Sequence, residues 1–118
     1  MGHLSTHVLD TMHGTPAAGM RARLERVQGG APSIVASFEL NADGRYAGGA
    51  LLDASAMATG RYRLVFAVAA YFRQRGVALP DPPFIDEVQL DFGIADAAGH
   101  YHVPLLVSPW SYSTYRGS

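Results

Sequence analysis

The chain has 118 residues, nearly half of them hydrophobic, and a formal net charge of −1, which fits one folded domain and argues against disorder. Acidic and basic residues are intermixed, which argues against a nucleic-acid partner, and the absence of cysteine excludes disulfides and thiolate catalysis. The most apolar stretch, residues 64–71, is too short to span a bilayer, and the N-terminal residues lack the apolar core of a secretory signal. The sequence therefore predicts a cytoplasmic protein with no membrane partner.

Alternation of apolar and polar residues predicts most of the secondary structure, because a strand with one wet face repeats every two residues. Predicted strands cover residues 5–10, 20–27, 34–40, 61–69, 88–94 and 100–108, and turn-forming residues separate them. Residues 69–76 are predicted to form a helix of about two turns that ends at a glycine. Short strands separated by turns favour an antiparallel β-sandwich, and the absence of a linker predicts a single domain over residues 1–118.

The alternation also predicts which side chains of a strand share one face. In residues 34–40 the inward set is Ile34, Ala36, Phe38 and Leu40. In the last long strand the inward residues are Tyr101, Val103, Leu105 and Val107, so that His100, His102 and Pro104 face solvent or another subunit.

Five histidines are many for a chain of this size, and imidazole is the side chain that titrates near neutral pH. His3, near the N-terminus, and His13, in a turn, are expected to have no role. His7 interrupts a strand-like run, and His100 and His102 lie on one face of a strand. By spacing alone, His7 and His102 are also compatible with ordinary half-exposed strand residues.

Two further features are ambiguous at this stage. A His-x-His pair on a strand can bind zinc, but the chain offers no cysteine and no strong carboxylate motif nearby, which disfavours a metal site. Residues 111–118 are polar and aromatic, and tyrosine and arginine favour interfaces, so this tail is expected to dock on another surface. An ordinary edge-strand end is the alternative.

Four segments, collinear and correctly spaced along the chain, together resemble the 5-hydroxyisourate hydrolase family. They are residues 4–17 (LSTHVLD followed by GTPA), 41–45 (NADGR), 100–109 (HYHVPLLVSP) and 112–118 (YSTYRGS). The last segment resembles the terminal signature that distinguishes these enzymes from true transthyretins. The chain departs from the family pattern at residues 69–72 (AAYF) and at His13, neither of which is expected to be catalytic.

The resemblance implies a fold, an activity and an assembly. The fold is a transthyretin-like antiparallel β-sandwich of seven to eight strands with one short helix. The activity is hydrolysis of 5-hydroxyisourate to 2-oxo-4-hydroxy-4-carboxy-5-ureidoimidazoline in urate breakdown, without a metal or another cofactor. The assembly is a homotetramer with active sites in a channel between subunits.

Carried over residue by residue, the family's functional set falls on His7, Arg45, His102 and Ser118. The two histidines are expected to activate water and to protonate the leaving nitrogen, with either one as the base. Arg45 is expected to bind the carbonyl edge of the substrate and to stabilise developing negative charge. Ser118 is expected to orient water or a histidine through its hydroxyl or carboxylate, and Tyr115 and Arg116 are expected to contribute to substrate binding.

Three other functions stay open at this point. A carrier could hold a small hydrophobic ligand in the same channel, since fold does not fix function. A carrier, however, has no need for two proton-transfer groups and a cation. A purely structural sandwich would usually carry a secretion signal, and a metal-dependent hydrolase would lose activity on chelation.

Overall fold

The computed structural model describes residues 1–117, which form eight strands and one helix. The strands are β1 (His3–Asp10), β2 (Thr15–Pro16), β3 (Arg21–Gln28), β4 (Ala31–Glu39), β5 (Gly60–Ala67), β6 (Glu87–Ile94), β7 (His100–Val107) and β8 (Tyr112–Thr114). They make two four-stranded sheets, with strand orders β2-β1-β7-β8 and β4-β3-β5-β6. The predicted all-β sandwich with one short helix is therefore confirmed.

The helix α1 (Val68–Gln74) follows β5 directly. The strand therefore ends two residues before the predicted end at residue 69, and the helix begins one residue before its predicted start. Its end is fixed by Gly76, whose φ of 82° favours glycine. Within residues 1–117, no helix has the length and apolar character needed to cross a membrane.

The core lies between the two sheets. Leu4 and Val8 of β1 belong to the same buried cluster as Leu24 of β3 and Phe66 of β5, and all four are 0% exposed. Full burial of one such side chain contributes about 1.5–3 kcal/mol relative to leaving it in water. Because β1 buries one face, the residues that alternate with Leu4 and Val8 face away from the core.

One strand pair departs from the predicted antiparallel arrangement. β1 and β7 run parallel, in unbroken register from His3 opposite His100 to Asp10 opposite Val107, whereas the other strand pairs in residues 1–117 are antiparallel. Residues 11–99 separate the two strands, so no short turn forces an antiparallel pair. The outer side of this pair, called the histidine face below, carries His3, Ser5, His7, His100 and His102.

The inward set predicted for β4 is wrong for Ile34, which is 64% exposed. Ala36 and Phe38 do pack against the core, and Leu40 is buried. At the turn end of the β3–β4 hairpin both strands are exposed: the first five residues of β4 are exposed, and burial along β3 decreases towards the exposed Gln28. The alternation in the sequence therefore continues beyond the point where the core ends.

A buried carboxylate ties the end of β1 to α1. Asp10 is 0% exposed, and its Oδ2 accepts a hydrogen bond from the Tyr71 hydroxyl at 2.7 Å and lies 2.6 Å from Nδ1 of His13. Burial by itself raises the pKa of Asp10, but the hydrogen bonds from Tyr71 and His13 outweigh it and lower the pKa below its ordinary value. His13, for which no role was expected, is therefore part of a structural cluster.

Tyr71→Phe removes a donor to this buried carboxylate and is expected to lower the free energy of unfolding by about 1.5–3 kcal/mol at neutral pH. A carboxyl group with a lowered pKa stabilises the fold above its unfolded pKa, and this contribution is lost as the pH falls through its folded pKa. The difference between wild type and variant should therefore shrink in acid. Urea unfolding of both proteins from neutral pH into acid, at one protein concentration, measures the loss of stability and its decrease with falling pH.

Tyr62→Phe is the matched control, because Tyr62 is also buried and its hydroxyl donates to a neutral acceptor, the Ala58 carbonyl, at 2.8 Å. It is expected to cost about 0.5–1.5 kcal/mol, with no change across the acid range. The same pH dependence in both variants would contradict the role assigned to Asp10.

Candidate active site

Four segments that are distant in the sequence meet at the histidine face. His7 on β1 forms an antiparallel bridge with Arg45, and His102 on β7 forms one with Gly117. Both histidines are half-buried, whereas Arg45 is exposed. The structure thus brings His7, Arg45 and His102 close enough for the charge of Arg45 to act on both imidazoles.

A tight turn fixes Arg45 beside β1. The side-chain oxygen of Asn41 accepts hydrogen bonds from the backbone N–H groups of Asp43 at 2.9 Å and of Arg45 at 3.0 Å. The carbonyl oxygen of Gly44 accepts a hydrogen bond from the Val8 N–H at 2.9 Å, which joins the turn to β1. The φ of 72° at residue 44 favours glycine. A Cβ there would lie 2.5 Å from the Val8 carbonyl oxygen, so a larger residue would push the turn away from β1.

Both candidate histidines have a pKa below the ordinary value for imidazole. Burial is the largest cause in each case, and the positive charge of Arg45 is the second. His7 and His3 lower the pKa of His102 further, whereas the carbonyl and the charge of Asp43 partly offset the lowering at His7. The neutral rings that result can accept a proton, as a general base must.

The ring of His102 has close neighbours on two sides. Its Nδ1 lies 2.8 Å from the Ser5 hydroxyl oxygen. On the other side the Gly117 N–H donates to the His102 carbonyl at 2.7 Å, and a Cβ on Gly117 would lie 2.8 Å from Cδ2 of the ring. Only glycine at residue 117 lets the chain end approach the imidazole this closely.

A cleft of about 620 Å³ adjoins this group, and its lining includes His3, Ser5, Arg45, Asp53 and His100. The rings of His3 and His100 are 4.3 Å apart, so neither is an isolated surface residue. Within residues 1–117, no group of three or more His, Asp or Glu side chains is arranged to hold a metal ion.

Other residues of the predicted site lie elsewhere. Tyr115 and Arg116 are exposed and line a separate cleft of about 350 Å³ between β6 and the chain end. The Arg116 guanidinium lies 4.2 Å from the Tyr101 ring and donates to the His100 carbonyl at 3.1 Å. Within one chain these two residues are therefore not brought to His7. Ser118 lies outside the described residues, and its role stays a prediction.

The sequence interpretation gave no role to Ser5 and expected none for His3, and both share the histidine face with His7. The available signal was the spacing of residues 3, 5 and 7, which places three polar side chains on one side of a strand. Pro104 was predicted to face outward with His102, but it is buried.

Comparison with known proteins identifies the family. Residues 4–117 match the sequence profile of the HIUase/Transthyretin family. The chain belongs to this family. A curated relative, 5-hydroxyisourate hydrolase 2 of Rhizobium meliloti (strain 1021), is 54% identical over 117 residues, which cover 99% of this chain and 97% of the relative. The family membership predicted from the four sequence segments is confirmed.

Two solved structures of the same family fold resemble the chain. The crystal structure of an (S)-allantoin synthase has a TM-score of 0.93 and 45% identity over 99% of this chain, which spans only 44% of that protein. Sea bream transthyretin in complex with thyroxine has a TM-score of 0.83 and 28% identity, with 97% of this chain and 93% of that chain covered. Since these proteins carry different names on one fold, the activity must be argued from the site.

Arg45→Gln is expected to raise the pKa of both His7 and His102. A nearby positive charge disfavours the protonated imidazolium, so its removal makes protonation easier. NMR titration of the histidine ring signals measures both values. Arg61→Gln is the control, because Arg61 is an exposed arginine on β5 of the other sheet. Unchanged or lower values for both histidines in Arg45→Gln would contradict the arrangement.

Proposed function

We propose that this chain hydrolyses 5-hydroxyisourate to 2-oxo-4-hydroxy-4-carboxy-5-ureidoimidazoline in urate breakdown, without a metal or another cofactor. The observation that carries the proposal is the meeting of His7, His102 and Arg45 on one open face, with both imidazole pKa values lowered. The relative with 54% identity, itself named a 5-hydroxyisourate hydrolase, supports the choice of substrate.

Hydrolysis forms a bond between a water oxygen and a ring carbonyl carbon and then breaks the adjacent C–N bond. Water is a poor nucleophile, so one neutral imidazole removes its proton as the C–O bond forms. Negative charge builds on the carbonyl oxygen, and the guanidinium of Arg45 stabilises it with paired donors. When the C–N bond breaks, its electron pair goes to the nitrogen, which takes a proton from an imidazolium.

His7 and His102 are proposed to share these two proton transfers. His7→Asn and His102→Asn are each expected to lower turnover by about 10²–10⁴-fold, the usual effect of losing a proton-transfer group. Both side chains are only half-buried, so the fold should survive. The measurement is the ultraviolet decay of 5-hydroxyisourate made in place from urate and urate oxidase, with spontaneous decay as the baseline and a parallel sample in chelator.

His13→Asn is the matched control, because His13 is also half-buried but lies at the Asp10 cluster and not at the histidine face. It should retain turnover at temperatures where it is folded. Near-normal turnover in both His7→Asn and His102→Asn would contradict the assignment. Loss of all activity in chelator would contradict the metal-free mechanism.

We also propose that the active unit is a homotetramer with sites between subunits. Within residues 1–117 of one chain, β6 and β8 each pair with a strand on one side only, and together they border the 350 Å³ cleft. Phe84 and Trp110, in the loops that lead into these strands, are 72% and 58% exposed with ring centroids 5.8 Å apart. Unpaired strand edges beside exposed aromatic rings favour the addition of a second copy.

An intersubunit site also accounts for Tyr115 and Arg116. These residues lie apart from His7 within one chain, and aromatic and arginine side chains are enriched at interfaces. Their proposed contribution to substrate binding therefore depends on the assembly. Ser118 keeps its proposed role of orienting water or a histidine.

Phe84→Arg is expected to shift the protein from tetramer to smaller species, because it places a charge on the proposed contact surface. Sedimentation velocity measures the change, and turnover should fall in the same sample. The control is Ile34→Arg. Ile34 is 64% exposed and lies on β4, which is the edge strand opposite β6 in the same sheet. A tetramer that withstands Phe84→Arg but not Ile34→Arg would contradict this choice of surface.

Residues 1–118 are proposed to act as one domain, since one buried cluster contains residues from both sheets. The cytoplasmic location stays a prediction of the sequence. Neither proposal affects the chemistry assigned to the histidine face.

A further inference from the structure

We infer that Ser5 is a positioning residue for His102, whose hydroxyl holds the imidazole so that Nε2 faces the reacting groups. The inference rests on the proposed function and adds to it a residue to which the sequence interpretation gave no role. It is carried by the contact of 2.8 Å between the Ser5 Oγ and Nδ1 of His102.

The backbone places this contact firmly. Ser5 lies directly opposite His102 in the parallel register of β1 and β7. The next residue, Thr6, is 1% exposed and donates its hydroxyl to the Val103 carbonyl at 2.7 Å, which ties the two strands together beside the contact. The Ser5 hydroxyl is therefore held next to the ring by the sheet itself.

The opposite edge of the ring is closed by the chain end. The backbone of Gly117 leaves no room for a Cβ beside Cδ2 of His102, as described above. Among residues 1–117, no hydrogen bond engages Nε2 of His102. With Nδ1 on Ser5 and Cδ2 against Gly117, Nε2 is the ring nitrogen left to receive a proton from water or to give one to the leaving nitrogen.

A hydroxyl suits this position because it can both donate and accept. When Nδ1 carries the proton, it donates to Ser5 and Nε2 is the free base. When Nε2 carries the proton of the neutral ring, the Ser5 hydroxyl turns and donates to Nδ1. A carboxylate here would only accept, and its charge would favour the imidazolium and raise the pKa of His102. Ser5 thus orients the ring without opposing the effect of Arg45.

The test compares Ser5→Ala with Ser5→Thr, which keeps the hydroxyl. Ser5→Ala is expected to lower kcat by about 10- to 100-fold, as when the orienting partner of a metal-bound histidine is removed, with a smaller change in KM. Ser5→Thr is expected to restore most of the loss. In ¹⁵N NMR spectra, the Nδ1 signal of His102 should move in Ser5→Ala, because Nδ1 loses its hydrogen-bond partner, and should return towards wild type in Ser5→Thr.

Two further variants complete the design. Ser33→Ala, an exposed serine on β4 of the other sheet, is the control and should leave kcat and the His102 spectrum unchanged. Ser5→Cys fills nearly the same space with only a weak hydrogen-bonding group, so it serves if alanine unfolds the chain. It should show a reduced kcat as well.

Wild-type kcat together with an unchanged His102 spectrum, in Ser5→Ala or Ser5→Cys, would overturn the inference. A loss in Ser5→Ala that Ser5→Thr does not restore, with the Nδ1 signal of His102 unaltered, would also overturn it, because the serine would then act only through packing. Failure of the proposed function is distinguishable, since it would appear as absence of activity in the wild-type protein itself.

Discussion

Eight residues of β1 pair in parallel with eight residues of β7, and this pairing sets Ser5 opposite His102 and His7 opposite Pro104. The same two strands bury Leu4 and Leu105 on their other side, so the core holds the strands whose outer residues form the candidate site. Arg45 and Gly117 are then added at the two margins through single bridges. The paired strands therefore hold the residues of the candidate site in place. The site is open because these residues lie on the face of the sheet that does not pack against the core.

The charge of Arg45 meets two electrostatic requirements of the candidate site. A base for water must be neutral at neutral pH, and the oxygen that gains charge in the reaction must meet a cation. Arg45 serves both, because its charge lowers the pKa of His7 and His102 and its guanidinium is a donor for the substrate. The glycine turn that carries Arg45 therefore affects the protonation of the bases as well as substrate binding.

Much of the fold could be predicted because alternation reports directly which strand face is buried, as it did for Tyr101 and Val103. It failed at Ile34, where the pattern persists but the core does not. His7, Arg45 and His102 were found through resemblance to a family, since no local rule shows that residues so far apart in sequence meet. Ser5 was missed for a related reason: its role depends on the register between two strands separated by residues 11–99, and spacing within one strand does not define that register.

The parallel register also limits how this protein can vary. Side chains of a strand alternate between its two faces, so a one-residue insertion or deletion within β1 would exchange the faces of every residue beyond it. An insertion after Leu4 would turn Ser5 and His7 towards the core and expose Val8, whereas the loop before β4 could change length without touching the site. Length changes in descendants of this sequence should therefore accumulate at hairpin ends, and β1 should diverge by substitution alone.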